Sequence, residues 1–164
     1  MDQQMDRLKE LRKYVDKALQ NCLKDPDDLK KAYVHLYGVS LASVLICKRR
    51  GLGSQEVELC AMAAMLHDLA AYESGSYDDH AHRGADRARE LLEELKLTSA
   101  EETEKICSAI YHHDDKAAVD SPMDECLKDA DVIHHTMDNP NKAVKEKELK
   151  RYQELLREFG VETA

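Results

Sequence analysis

The residues Leu59 to Leu66 (LCAMAAML) carry no polar side chain, and the run ends at the pair His67-Asp68. It is far shorter than the roughly 20 residues a membrane span needs. A helix that is apolar on nearly every face belongs at the centre of a bundle, covered by other helices. The rest of the chain supplies them. Only three prolines and six glycines interrupt 164 residues, no stretch alternates for long with period two, and β-branched residues are sparse. The pattern predicts an all-α fold, a single-domain helical bundle of about six to seven helices.

Stop and start signals place the helices. An amphipathic helix from about Asp2 to Leu23 presents Met5, Leu8, Val15 and Leu19 on one stripe and ends before Pro26. A second runs from about Asp28 to Arg50 and is broken by Gly51-Leu52-Gly53. Ser54 is the expected N-cap of the third, central helix. Tyr72 to Asp79 reads as a polar loop, followed by a fourth helix to about Lys96. Thr98 and Ser99 with Glu101 and Glu102 offer capping boxes for a fifth helix to about His113. Ser121-Pro122 opens a sixth, and Asp138-Asn139-Pro140 ends it and starts a charged last helix to about Phe159, closed by Gly160.

Charge narrows the partners. Lys and Arg total 24 against 33 Asp and Glu, a formal net charge of −9, which repels a nucleic-acid polymer. A small phosphate ligand is compatible, because a metal ion inverts the field inside one pocket. The acids Asp78, Asp79, Asp114, Asp115, Asp120 and Asp124 are expected to rim such a pocket. The N-terminus has no apolar signal segment, and the odd count of five cysteines, without a CxxC clip, reads as buried apolar residues of a reducing compartment. The expectation is a cytoplasmic protein with no membrane contact. Oligomeric state is left open.

The eight histidines fall in clusters. His35 shares a stripe with Val39, Ala42 and Ile46. His67-Asp68 is the first polar pair on the central helix, where an ionised Asp is costly unless paired or metal-bound. His113 lies on the stripe of Ile106 and Ile110, and Asp131 follows Leu127 by one turn. Four helices thus aim N and O donors inward, as in metal sites built in bundle cores.

In order along the chain, His35-Leu36-Tyr37-Gly38-Val39-Ser40, Ala63-Ala64-Met65-Leu66-His67-Asp68 and Lys128-Asp129-Ala130-Asp131-Val132 resemble the H…HD…D signature of the HD superfamily of metal-dependent phosphohydrolases. The resemblance implies an HD-domain-like fold spanning 1–164, with the signature region at about 33–137 and flanking helices at 1–23 and 141–159. It implies a metal site of His35, His67, Asp68 and Asp131, with Asp129 left as a solvated surface acid. His82-Arg83-Gly84-Ala85 and Tyr111-His112-His113-Asp114 resemble segments of the dinuclear branch. In that branch a second ion is held by His82 with His112 or His113, and Asp68 bridges the two. His80 reads as a solvated loop residue. His134 and His135 are either partners of the ligands or surface residues.

The implied catalytic set is Asp68, His82 and Arg83, with Lys116 and Lys128 as further candidates for phosphate contact. The donor set lacks thiolate and suits one or two divalent ions, Mn, Fe, Co or Ni, with Mg as a further candidate. The implied activity is hydrolysis of a small phosphorylated substrate, a nucleotide first, by metal-activated water. One departure stands out. Some mononuclear nucleotidases of the family carry a glutamate three positions after the HD aspartate, and this chain has Ala71 there, with Glu73 beyond it. The rival readings are a non-catalytic regulatory module that binds metal or nucleotide, and a di-iron oxygenase on the same fold.

Overall fold

Asp25, Ser99 and Ser121 each accept a backbone N–H of the helix they precede, so three of the chain's helix starts are fixed by local chemistry. The computed structural model describes residues 5–162, so the expected helix start at Asp2 lies outside the described residues. Within them there are eight helices and no strand: α1 (Arg7–Cys22), α2 (Pro26–Arg49), α3 (Ser54–Leu66), α4 (Leu69–Ser74), α5 (His80–Leu95), α6 (Ala100–His112), α7 (Pro122–Met137) and α8 (Glu146–Glu158). Seven are long. The eighth, α4, buries Leu69, Ala70 and Ala71 and takes in Tyr72–Ser74, the start of the expected polar loop. The central helix is capped by Gly53 and not by Ser54, which is its first residue.

Every side chain from Leu59 to Leu66 is buried. The other helices supply the cover: α3 packs against α1, α2, α6 and α7. A single apolar cluster runs from Leu11, Val15 and Leu19 on α1, through Leu36, Val39 and Ile46 on α2, to Leu155 on α8. Four cysteines are buried in it, Cys22 is half-buried, and none forms a disulfide. At about 25 cal/mol per Å² of apolar surface, burial of this kind outweighs any local helix preference. No described helix is long and apolar enough to cross a membrane.

Asp129 corrects an expectation. It is buried, not solvated, and lies 2.7 Å from Arg50 and 3.2 Å from Arg151. These ion pairs tie α7 to the end of α2 and to α8. A second network joins Arg7 of α1 to Glu58 of α3 and Glu102 of α6.

Candidate metal centre

The bundle stops α3 at Leu66, one residue before the polar pair. His67 and Asp68 form the turn into α4, with Asp68 at φ −112°, ψ 4°, a sparsely populated backbone region common in active sites. His67 is fully buried, and its Nδ1 lies 2.6 Å from the Ala64 carbonyl. That carbonyl accepts a hydrogen bond from Nδ1–H, which turns Nε2 inward. The same device recurs twice. His113, at the end of α6, places Nδ1 2.6 Å from the Ile110 carbonyl, and His80, at the start of α5, lies 3.0 Å from the Tyr77 carbonyl. Each ring is held by the carbonyl three residues before it.

These Nε2 atoms converge on two carboxylates. His35 Nε2 is 3.1 Å from His67 Nε2 and 3.0 Å from Asp68 Oδ2. Both rings are 3.4 Å from Asp131 Oδ1. The second oxygen of Asp68 faces another pair: His80 Nε2 at 3.4 Å and His113 Nε2 at 3.5 Å, themselves 3.2 Å apart. Where these rings are neutral, acceptors pack against acceptors, and positive charge, a ring proton or a metal ion, must lie between them. Asp68 Oδ1 and Asp131 Oδ1 are buried without a hydrogen-bond partner among the described residues, an arrangement that costs about 1–3 kcal/mol per group or more when uncompensated. Imidazole and carboxylate donors without thiolate fit a divalent ion of borderline hardness, so the residues present fit the metal that the sequence implies.

The electrostatics agree. Burial pushes the Asp68 and Asp131 carboxyls up, but His67 beside Asp68 and the Lys116 ammonium beside Asp131 outweigh it and hold both well below the usual range. Burial pushes His67 down, and the two carboxylates overcome it, raising the ring to about 10. The centre demands positive charge. Burial lowers His113, favouring the neutral ring that ligates metal. Lys116 Nζ donates to Asp131 Oδ2 at 2.8 Å and to the His113 carbonyl at 2.6 Å, leaving Asp131 Oδ1 for the centre.

A further layer fixes the ligands. His35 Nδ1 is 3.0 Å from His134 Nδ1, so the outer nitrogen of His35 has a partner when the inner one ligates. His134 lies over the backbone of α2 at Gly38, where a Cβ would meet its ring at 2.3 Å. His135 stacks on His35 with ring centres 5.2 Å apart. Its Nε2 is 3.5 Å from Asp131 Oδ1 and its Nδ1 is 2.8 Å from Oε1 of Glu148, a fully buried residue of α8.

The structure brings together His35, His67, Asp68 and Asp131 with His113, one of the candidates for the second ion, and adds His80. It sets His82 apart. That ring is half exposed, bonded to Asp79 and stacked on Tyr111, because α5 turns Ala81, Gly84, Ala85 and Ala88 inward. His80 shares that face at the spacing His80, Gly84, Ala88, and this was the signal that would have found it. Gly84 brings α5 close: a Cβ there would lie 3.2 Å from the His67 carbonyl.

His112 is also outside the centre, 2.9 Å from Asp124. Arg83 holds the 74–78 turn through Ser74, Ser76 and Asp78, and Lys128 is buried on Asp120 and the Ala118 carbonyl, so neither faces the centre. Glu73 pairs with Arg87.

The centre forms the floor of a cleft of about 1070 Å³, just above the usual range for small-molecule sites. Of the acids expected at its rim, Asp114 alone lines it.

A helical bundle with a buried histidine–aspartate centre under an open cleft defines an all-α protein with a candidate metal site. Residues 32–136 match the HD domain, and the chain belongs to the HD domain family. A solved structure of a predicted HD superfamily hydrolase from an uncultured Thermotogales bacterium shares the fold, with 22% identity and a TM-score of 0.59 over 90% of this chain and 88% of that one. Comparison with curated protein sequences finds no match.

Proposed function

We propose that this protein is a metal-dependent phosphohydrolase that cleaves a phosphate ester of a small molecule, with a nucleotide as the first candidate. The observation that carries the reading is the pair of unpartnered carboxylate oxygens facing ring lone pairs on the floor of an open cleft. His35, His67, Asp68 and Asp131 would hold one divalent ion, and Asp68 with His80 and His113 a second. Ions held there supply a Lewis acid for a phosphoryl oxygen and acidify the attacking water.

The chain's own groups do the positioning. Lys116 aims Asp131 and His134 orients His35. Tyr72 and Tyr77 line the cleft, and burial raises both phenols, so they remain protonated donors at neutral pH. The net charge of −9 favours a small ligand over a nucleic-acid polymer.

The test is phosphate release from a nucleotide panel by protein purified without chelator, with metal content measured and Mn, Fe, Co, Ni and Mg supplied in turn. Release that needs metal and disappears in Asp68→Asn is expected. Metal-loaded protein that releases no phosphate with any member would refute the reading, and iron-dependent oxygen uptake would move it to oxidation chemistry.

A further inference from the structure

The cleft is lined by lysines that take no part in holding the centre. Lys30 and Lys31 from α2, and Lys142, Lys145 and Lys147 from the segment entering α8, all line it, in a chain of formal charge −9. Four acids outside the centre line it too. Asp114 is taken by Lys147 at 3.2 Å, Asp138 lies 3.8 Å from His134, and Asp27 and Asp28 sit in the first turn of α2, where they complement the helix dipole. Lys30, Lys31, Lys142 and Lys145 form no ion pair among the described residues. Lys31 precedes His35 by one helical turn on the same face of α2, about 6 Å along the axis. Lys142 and Lys145 follow His134 and His135 beyond the end of α7. One phosphoryl group engages the centre, and cations a helical turn away call for another anion on the same ligand.

We propose that the cleft is built for a small molecule bearing a chain of two or more phosphoryl groups, one on the His/Asp centre and the others against Lys31, Lys142 and Lys145. This rests on the phosphohydrolase reading and names its substrate class. Water adds to the phosphorus at the centre, the P–O bond joining that phosphorus to the rest of the ligand breaks, and the proton released by water ends on the products.

The experiment compares kcat/KM for adenosine mono-, di- and triphosphate, using Mn-loaded full-length wild type, Lys31→Ala and Lys142→Ala/Lys145→Ala. These lysines are exposed, and thermal melting checks that the variants fold. The wild type should prefer the triphosphate to the monophosphate by about tenfold or more, and either variant should lower that ratio by about two- to fivefold, through KM. A wild-type ratio of one or less, or a ratio the variants leave unchanged, would overturn the proposal while the phosphohydrolase reading stands. Where no nucleotide is cleaved, that reading fails and calorimetry with inorganic tripolyphosphate and inorganic phosphate decides the lysine wall. Tighter tripolyphosphate binding that both variants weaken supports it, and equal binding of the two anions overturns it.

Discussion

Gly38→Ala separates folding from metal binding. The added methyl would sit 2.3 Å from Cδ2 and 2.7 Å from Nε2 of His134, so the ring must leave, because the α2 backbone is fixed by its packing on α3 and α7. Two effects on stability then oppose each other. Alanine in a helix interior gains about 0.5–1 kcal/mol over glycine. Loss of the part-buried His35–His134 hydrogen bond, 3.0 Å in the native protein, costs about 1 kcal/mol net. They nearly cancel, and the metal-free protein should melt within a few degrees of wild type.

Metal affinity has no such compensation. His35 loses the partner that fixes its tautomer and ring plane, which costs about 10–100-fold in affinity. The assay is competition for Mn or Co against a calibrated chelator, beside thermal melts of the metal-free protein. His134→Ala should lose a similar factor, and the double variant should lose no more than His134→Ala alone, since both changes remove one contact. Folded Gly38→Ala protein with wild-type affinity, or losses that add in the double variant, would refute this account of His134.

His80→Ala should bind about one ion fewer than wild type by elemental analysis, whereas His82→Ala should keep the wild-type stoichiometry, and the reverse pattern would return the second ion to His82. The Arg7 guanidinium holds Glu102 at about 2, so Glu102 contributes stability above pH 4.5 that is lost as pH falls from there through about 2. Glu102→Gln should therefore lower stability by about 1 kcal/mol at neutral pH, given the solvent screening of the pair. Its melting temperature should converge on wild type in that acid window, and a gap independent of pH would show that the pair's charge is not what stabilises.

Helix order and the central position of α3 were legible because they rest on local signals: apolar runs, capping serines and prolines in first turns. The candidate ligands His35, His67, Asp68 and Asp131 were legible because inward-facing donors on apolar helices coincide with the H…HD…D resemblance. His80 was misread because it stands at a helix start, where two residues of phase decide whether a ring faces the centre or the solvent. Asp129 was misread because its partners, Arg50 and Arg151, lie on other helices, and one-dimensional periodicity does not register a charge buried by distant ion pairs. The lysines of the cleft stand in charged segments that give no hint that α2 and the start of α8 line one cleft.

Helix α8 is joined to the rest of the protein by polar groups that reach toward the centre. Glu148 holds His135 at 2.8 Å, and Arg151 donates to the carbonyls of Lys116 and Ala118, both at 2.8 Å, while Lys116 holds Asp131. Undocking this helix frees the His135 ring and the Lys116 segment together, so local opening of α8 and loss of the assembled cleft are one event. A ligand that binds only the docked form, at a hundred times its Kd, adds about 2.7 kcal/mol to that opening. Amide hydrogens along Glu146–Glu158, which exchange through it, would then slow by about 100-fold. Exchange rates at the C-terminal helix thus become a reporter of cleft occupancy that needs no knowledge of the reaction.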